Sequence, residues 1–105
     1  MRYSIKKKSD SEVIATGEPE ATVLDFEGNW YFSPDAVDMK YLKVTNRTYT
    51  CPYKGVCNWI DLETPDGKVT NFGWVYPTPK PGYEMIKDRI AVYTRDTYVT
   101  RAIEE

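Results

Sequence analysis

The sequence predicts a mainly β domain with little helix. Short runs rich in Val, Ile, Thr, Tyr, Phe and Trp recur between Gly, Pro, Asn and Asp residues, a pattern typical of strands separated by turns. The chain has 105 residues, a length that suits one folding unit, so we expect residues 1–105 to form a single domain. Its 3 Trp, 9 Tyr and 3 Phe provide bulky side chains for the core of such a domain.

The positions of these runs predict the strands and the few helical turns. Strands are expected at residues 3–7, 13–16, 22–26, 31–32, 42–44, 48–51, 56–62, 69–76, 90–93 and 98–101. One short helical turn is indicated by Ser33 as N-cap, Pro34 at the first helical position and Asp35 next to it. A second turn is expected near residues 83–87, and the proline-rich residues 77–82 are expected to form a stiff connector.

The clearest local signal is a hairpin turn at Thr64-Pro65-Asp66-Gly67. Proline at the second position and glycine at the fourth predict a type I turn followed by a glycine bulge, with Thr64 opposite Lys68. The resulting register pairs Ile60 with Phe72 and places Trp59 over Gly73. The core face would also carry Val56, Leu62, Trp74 and Tyr76, and the opposite, mixed face would carry Cys57 and Asp61.

Composition excludes several classes of function. The sequence has no histidine, which rules out Ser-His-Asp triads, Cys-His dyads and histidine-based pH switches. Its net charge of −2, with Lys6–Lys8 as the one basic run, argues against nucleic-acid binding. No apolar run is long enough to span a membrane and the N-terminus lacks the apolar region of a secretion signal, so we expect no membrane association and a cytoplasmic location.

The two cysteines are expected to be thiols in such a reducing compartment, although their spacing allows a transient disulfide. Without histidine, Cys51 and Cys57 fall short of the four ligands of a structural zinc site. We therefore expect no metal and no cofactor.

The turn from Cys51 to Gly55 is the segment best suited to chemistry. Pro52 fits the second position of a tight turn, which would bring the Cα atoms of Cys51 and Lys54 to within about 7 Å of each other. A nearby ammonium favours the reactive thiolate, so Cys51 and Lys54 are candidate catalytic residues. The alternative is that Cys51 is a small buried side chain and Lys54 a solvated one.

Aromatic residues close to this turn indicate a second possibility, a groove that binds a small planar or polar ligand. Such rings most often belong to a core, but several of them lie near predicted loops, as do the rings of residues 30–32. The candidate ligand-binding residues are Tyr53, Gly55, Trp59, Trp74 and Tyr76, with Lys54 beside them.

Four segments of the chain resemble a known family. They are Cys51-Pro52-Tyr53-Lys54-Gly55, the run at residues 26–37, Gly73-Trp74-Val75-Tyr76-Pro77, and the run at residues 88–93. Taken in their order along the chain, these segments resemble the small bacterial family called domain of unknown function 427, and the resemblance covers nearly the whole chain. The resemblance implies a β-tent-like fold, in which two small antiparallel sheets lean together.

The same resemblance limits what can be carried over about chemistry. Proteins related to the family hold structural zinc with paired C-x-x-C motifs, which this sequence lacks. Many family members have histidine immediately before the cysteine, where this chain has Thr50. The family also carries a nucleotidyltransferase label, yet the chain has no glycine-rich phosphate loop.

Three hypotheses on function follow from these features. The first is a small-ligand-binding β domain with an aromatic-lined groove near the Cys51–Gly55 turn. The second is a small cysteine-dependent enzyme or redox protein that uses Cys51, and the third is a protein-interaction module that pairs through an exposed strand edge. The chain is expected to be a monomer or a homodimer.

Overall fold

The computed structural model describes residues 1–65, 67–93 and 99–104. Within these residues the chain forms nine β-strands in two antiparallel sheets, which confirms the mainly β prediction. The strands are β1 (Arg2–Lys7), β2 (Val13–Gly17), β3 (Val23–Phe26), β4 (Asn29–Phe32), β5 (Leu42–Cys51), β6 (Gly55–Thr64), β7 (Gly67–Val75), β8 (Ile90–Val92) and β9 (Val99–Glu104).

The smaller sheet has the order β2-β1-β9, and the larger has the order β3-β4-β8-β7-β6-β5. Strand β1 lies between the hairpin strand β2 and the distant strand β9, so that Arg2 faces Glu104 and Lys7 faces Val99. Strand β5 is continuous where two separate runs, 42–44 and 48–51, were predicted. Its pairing with β6 is irregular between Val44 and Thr48, which explains the gap in the sequence pattern.

Three short 3₁₀ turns connect the strands of the described chain, one more than expected: Pro34–Ala36, Met39–Tyr41 and Glu84–Ile86. Ser33 stands at the predicted N-cap position, but its side chain donates or accepts no capping hydrogen bond. Asp38 caps the Met39–Tyr41 turn instead, by accepting a hydrogen bond from the Lys40 N–H. None of the described helical segments has the length and apolar character needed to cross a membrane.

Buried apolar side chains form two clusters, one on each face of the six-stranded sheet. The alternation of side chains along a strand separates them: Trp30 and Phe32 of β4 belong to one cluster and Tyr31 belongs to the other. The inner core lies between the two sheets and consists of Ile5, Ile14, Ala15, Val23, Trp30, Phe32, Leu42, Ile60, Leu62, Phe72, Ile90, Val92 and Val99. The outer core lies on the other face and consists of Tyr31, Cys51, Cys57, Trp74, Tyr76, Ile86 and Ala91.

The constant register predicted for the β6–β7 hairpin is wrong. Thr64 pairs with Gly67 rather than Lys68, and the turn residue Asp66 lies outside the described residues. Farther along, Leu62 pairs with Val69, but Ile60 pairs with Gly73. Strand β7 therefore places residues 70–72 opposite the single residue Asp61 of β6. This bulge shifts the pairing by two residues, which no local pattern in either strand reveals.

The shift also changes which side chains face each other. Trp59 pairs with Trp74 and not with Gly73. Gly73 has a different reason to be glycine: a Cβ atom there would lie 2.4 Å from the carbonyl oxygen of Ala91 in β8. Val56, expected on the core face, is exposed, whereas Cys57, expected on the mixed face, is buried.

Asp61, also expected on the mixed face, is a buried carboxylate at the bulge. It accepts a hydrogen bond of 2.9 Å from the backbone N–H of Asn71 and forms an ion pair with Arg47. Burial alone would raise the pKa of this carboxyl group, but the Asn71 N–H and the Arg47 charge outweigh burial and hold the pKa of Asp61 below its ordinary range. The carboxylate thus satisfies a backbone donor that the irregular pairing leaves without a strand partner.

Candidate functional site

A cavity of about 170 Å³ opens on the outer face of the six-stranded sheet. Four of the side chains selected from the sequence, those of Lys54, Trp59, Trp74 and Tyr76, line this cavity. The complete lining in the described part of the chain is Asn29, Tyr31, Tyr49, Lys54, Cys57, Trp59, Trp74, Tyr76 and Tyr93. Six of these nine residues are therefore aromatic.

A row of residues across four neighbouring strands builds the cavity wall. Tyr31 of β4 pairs with Ala91 of β8, Ala91 pairs with Trp74 of β7, and Trp74 pairs with Trp59 of β6. Paired residues of antiparallel strands point to the same face, so the three rings project to one side. The small side chain of Ala91 lets Tyr31 and Trp74 meet above it, edge to face, with ring centroids 6.1 Å apart.

A hydrogen bond joins two of the polar groups in the buried part of the wall. The Trp74 Nε1–H donates to the Tyr31 hydroxyl over 3.2 Å. Tyr76 and Cys57 lie buried in the same outer core. Burial raises the pKa of the Tyr76 phenol and of the Cys57 thiol, so both groups keep their protons at neutral pH. The wall at these two residues is polar and uncharged.

Two exposed tyrosines form the rim of the cavity. Tyr49 of β5 lies 6.0 Å from Trp59, and Tyr93, which follows β8, lies 4.7 Å from Trp74, measured between ring centroids. Each rim tyrosine thus continues the aromatic surface of one wall tryptophan toward the solvent. A ring-shaped ligand that entered here would meet aromatic surface from the rim to the buried Tyr31.

Among the described residues that line the cavity, Lys54 is the one with a charged side chain. Its Nζ atom lies 2.5 Å from a carboxylate oxygen of Glu27. Glu27 and Gly28 form the two-residue turn between β3 and β4, and both have positive φ, at 54° and 80°. Burial would lower the pKa of Lys54, but the hydrogen bond and charge of Glu27 raise it above its ordinary value.

The turn that supplies Lys54 also holds Cys51, as the sequence predicts. The Lys54 backbone N–H donates to the Cys51 sulfur over 3.4 Å. This N–H, that of Tyr53 and the Lys54 ammonium together lower the pKa of the Cys51 thiol. The sulfur lies in the outer core, not in the cavity wall, so the geometry brings Lys54 to the cavity without bringing Cys51 there.

Two of the predicted ligand-binding residues lie outside the cavity lining. The Tyr53 ring is exposed to solvent. Gly55 has a φ of 107° and packs against the backbone of the proline-rich segment, where a Cβ atom would lie 3.4 Å from the Thr78 oxygen. Lys80 of that segment fastens the turn through its N–H, which donates to the Lys54 carbonyl at 2.8 Å, and its Nζ, which donates to the Pro52 carbonyl at 3.0 Å.

The two cysteines are free thiols on the same face of adjacent strands. Tyr49 pairs with Cys57, and Cys51 pairs with Gly55, so the two thiols are diagonal rather than direct neighbours. Within the described residues, no three side chains of the types that bind metals come together.

Comparison with known proteins identifies the family. A family model described as a domain of unknown function, DUF427, matches residues 2–103. The chain belongs to the DUF427 family. The short name of the family refers to nucleotidyl transfer, but its description assigns no function. No curated protein matches the chain in sequence.

The cavity of this DUF427 chain includes residues that reasoning from the sequence missed. These are Asn29, Tyr49 and Tyr93 in the lining, together with Glu27, which lies outside the lining as the partner of Lys54. Tyr31 belongs to the ring cluster at residues 30–32 that the sequence indicates, and strand alternation places it on the opposite face from Trp30 and Phe32. For Tyr93 no local signal exists, because its position depends on β8 lying between β4 and β7.

Proposed function

We propose that this chain binds a small planar ligand in the cavity on the outer face of the larger sheet. The observation that carries the proposal is the joint lining by six aromatic side chains and Lys54. Ligand sites in proteins combine such apolar and aromatic walls with a few polar groups that orient the ligand. Here those groups are Asn29, Lys54 and the tyrosine hydroxyls.

The volume of the cavity is enough to hold about one ring of a ligand. Typical sites for drug-sized ligands measure roughly 300 to 1,000 Å³. An engineered cavity of about 150 Å³ binds benzene, and the cavity of about 170 Å³ in this chain is close to that size. A six-membered ring with one polar substituent therefore matches the available space.

The hydrogen-bonding pattern favours a ligand that accepts a hydrogen bond. The Tyr31 hydroxyl accepts from the Trp74 N–H, which leaves its own proton available for donation. The Lys54 ammonium is a donor as well. A carbonyl or carboxylate on the ring would satisfy either group.

Titration with single-ring compounds tests the proposal. We expect phenol, benzamide or uracil to change the tryptophan fluorescence with saturation and to raise the Tm, by on the order of 10 °C at a concentration near 100 times Kd. If no compound of this size changes either signal, the proposed function is wrong.

A matched pair of variants locates the binding site. Tyr49 lies on the cavity rim and is 52% exposed, whereas Tyr53 lies outside the lining and is 71% exposed. Tyr49→Leu should weaken binding about two- to tenfold, because a stacked ring contributes about 0.5–1.5 kcal/mol. Tyr53→Leu should leave the affinity unchanged. Equal effects of the two substitutions would place the ligand elsewhere.

A second candidate function uses Cys51 as a nucleophile or redox thiol. The observation in its favour is the N–H to sulfur contact of 3.4 Å inside the Cys51–Lys54 turn. In the Cys57→Ser variant, which has one thiol, we expect iodoacetamide to label Cys51 with an apparent pKa below the ordinary value of about 8.5. Labelling with an ordinary pKa, or only after unfolding, would contradict this candidate.

A further inference from the structure

The lining of the cavity carries a positive charge and no negative one within the described residues. Of the described residues that line it, Lys54 is the one with a charged side chain, and no carboxylate joins it in the lining. The Lys54 side chain is only 18% exposed, so water screens its charge less than that of a surface lysine. A ligand in the cavity is therefore exposed to a positive charge.

Glu27, the carboxylate that balances this charge, is not part of the cavity lining. Its side chain is 50% exposed and extends to Lys54 Nζ from the β3–β4 turn. The ion pair is thus formed by one group of the lining and one group outside it. An anionic ligand would compete with Glu27 for the same ammonium.

The sign of the charge separates two classes of ring-sized ligand. A wall of tryptophan and tyrosine rings alone would suit a cation, because the faces of these rings carry negative charge. Glu27 offsets part of the repulsion between the Lys54 ammonium and a cation, but the ammonium offers a cation no binding partner. With an anion the same ammonium would form a charge-assisted hydrogen bond.

We propose that the cavity selects a single-ring aromatic anion, such as a ring carboxylate, whose charged group takes the place of Glu27 on Lys54 Nζ. This inference rests on the ligand-binding function proposed above and names the class of ligand. Glu27 then acts as an internal competitor, which lowers the affinity for anions while leaving that for neutral rings unchanged.

Benzoate and benzamide are matched probes, since they share one ring and differ by one charge at neutral pH. We expect the unmodified protein to bind benzoate more tightly than benzamide. Glu27→Gln should tighten benzoate binding by about three- to tenfold and change benzamide binding by less than about twofold. Lys54→Met, which keeps an unbranched side chain but removes the ammonium, should weaken benzoate binding by about tenfold, to the level of benzamide.

The control variant is Glu63→Gln, because Glu63 forms a similar ion pair with Lys68, at 3.5 Å, and its side chain is 43% exposed. It should change neither affinity. Equal binding of benzoate and benzamide by the unmodified protein and by Glu27→Gln would overturn the selection for anions while leaving the binding function intact. If neither probe binds any folded variant, the binding function itself is overturned, and the selection with it.

Discussion

Arg47 connects two bulges of the larger sheet, one in β5 and one in β7, which lie on either side of β6. Strand β5 has residues 45–47 opposite the single residue Trp59, just as β7 has three residues opposite Asp61. Arg47 lies in the bulge of β5, and its guanidinium contacts the carboxylate of Asp61 in β6. The same guanidinium donates two hydrogen bonds, of 3.0 and 3.2 Å, to the side-chain oxygen of Asn71 in the bulge of β7. One side chain thereby stabilises both bulges.

Replacing Arg47 should destabilise the fold and change its response to acid. In Arg47→Met the buried Asp61 carboxylate loses the nearer of its two cations and keeps only Lys68, whose Nζ lies 4.0 Å away. We therefore expect the free energy of unfolding at pH 7 to fall by about 1–2 kcal/mol in urea denaturation. Because folding lowers the pKa of Asp61, its contribution is present above the ordinary Asp pKa of about 3.9 and is lost as the pH falls below that value toward the lower pKa of the folded state. The unmodified protein should therefore lose more stability than the variant over this interval.

Lys8→Met is the matched control, because Lys8 is an exposed cation between β1 and β2. It should change the free energy of unfolding by less than about 0.5 kcal/mol. If Arg47→Met behaves like this control, the Arg47–Asp61 ion pair does not stabilise the bulges.

At the scale of elements, the close contact between β7 and β8 depends on Gly73. The added Cβ of an alanine would lie 2.4 Å from the Ala91 oxygen and 3.1 Å from the Val92 side chain, and the nearer atom belongs to the backbone of a central strand. Relief of this clash requires β8 to move away from β7. Since Ala91 lies between Tyr31 and Trp74, such a movement would also disturb the cavity wall.

Gly73→Ala should therefore destabilise the protein by about 1–3 kcal/mol, the usual cost of overpacking. Thermal unfolding followed by circular dichroism measures this loss. Gly28→Ala provides the comparison: an added Cβ there meets no atom within 4 Å, and only its φ of 80° imposes a cost, of about 1 kcal/mol. A Gly73→Ala variant as stable as the parent would show that β8 can shift freely.

The strands could be predicted from the sequence because their signals are local, but the register of the larger sheet could not. The β-branched and aromatic runs place β1, β2 and β6 within a few residues of their observed bounds. The two bulges beside β6 depend on how Arg47, Asp61 and Asn71 meet, which involves three strands at once. The predicted strand at 98–101 begins with Tyr98, outside the described residues, and its remainder lies in β9.

Strand β5 is an outer strand of the larger sheet within the described chain, so it is the kind of edge through which an interaction module would pair with a partner. Its bulge and its exposed Lys43 and Arg47 disfavour the addition of a further strand along its first half. The regular half, Thr48 to Cys51, ends at the turn that supplies Lys54.

At the scale of the whole molecule, the described chain is arranged in layers. The three-stranded sheet covers the inner core, the six-stranded sheet follows, and the outer core with its cavity lies on the far side. The sequence indicates part of the cavity because Trp59 and Trp74 belong to one hairpin and Lys54 to the turn before it. Tyr31 and Tyr93 join them only through the strand order β4-β8-β7, which is a property of the complete sheet.

The pairing of β1 with β9 has a practical consequence for experiments on this molecule. Arg2 and Glu104 are neighbours in the small sheet, so both ends of the described chain emerge side by side, with the inner core and the larger sheet between them and the cavity. In a circular permutant, whose new ends lie in another loop, a short glycine-serine linker could join these two residues without crossing the cavity. Attachment of either end to a sensor surface would likewise leave the aromatic rim facing the solution.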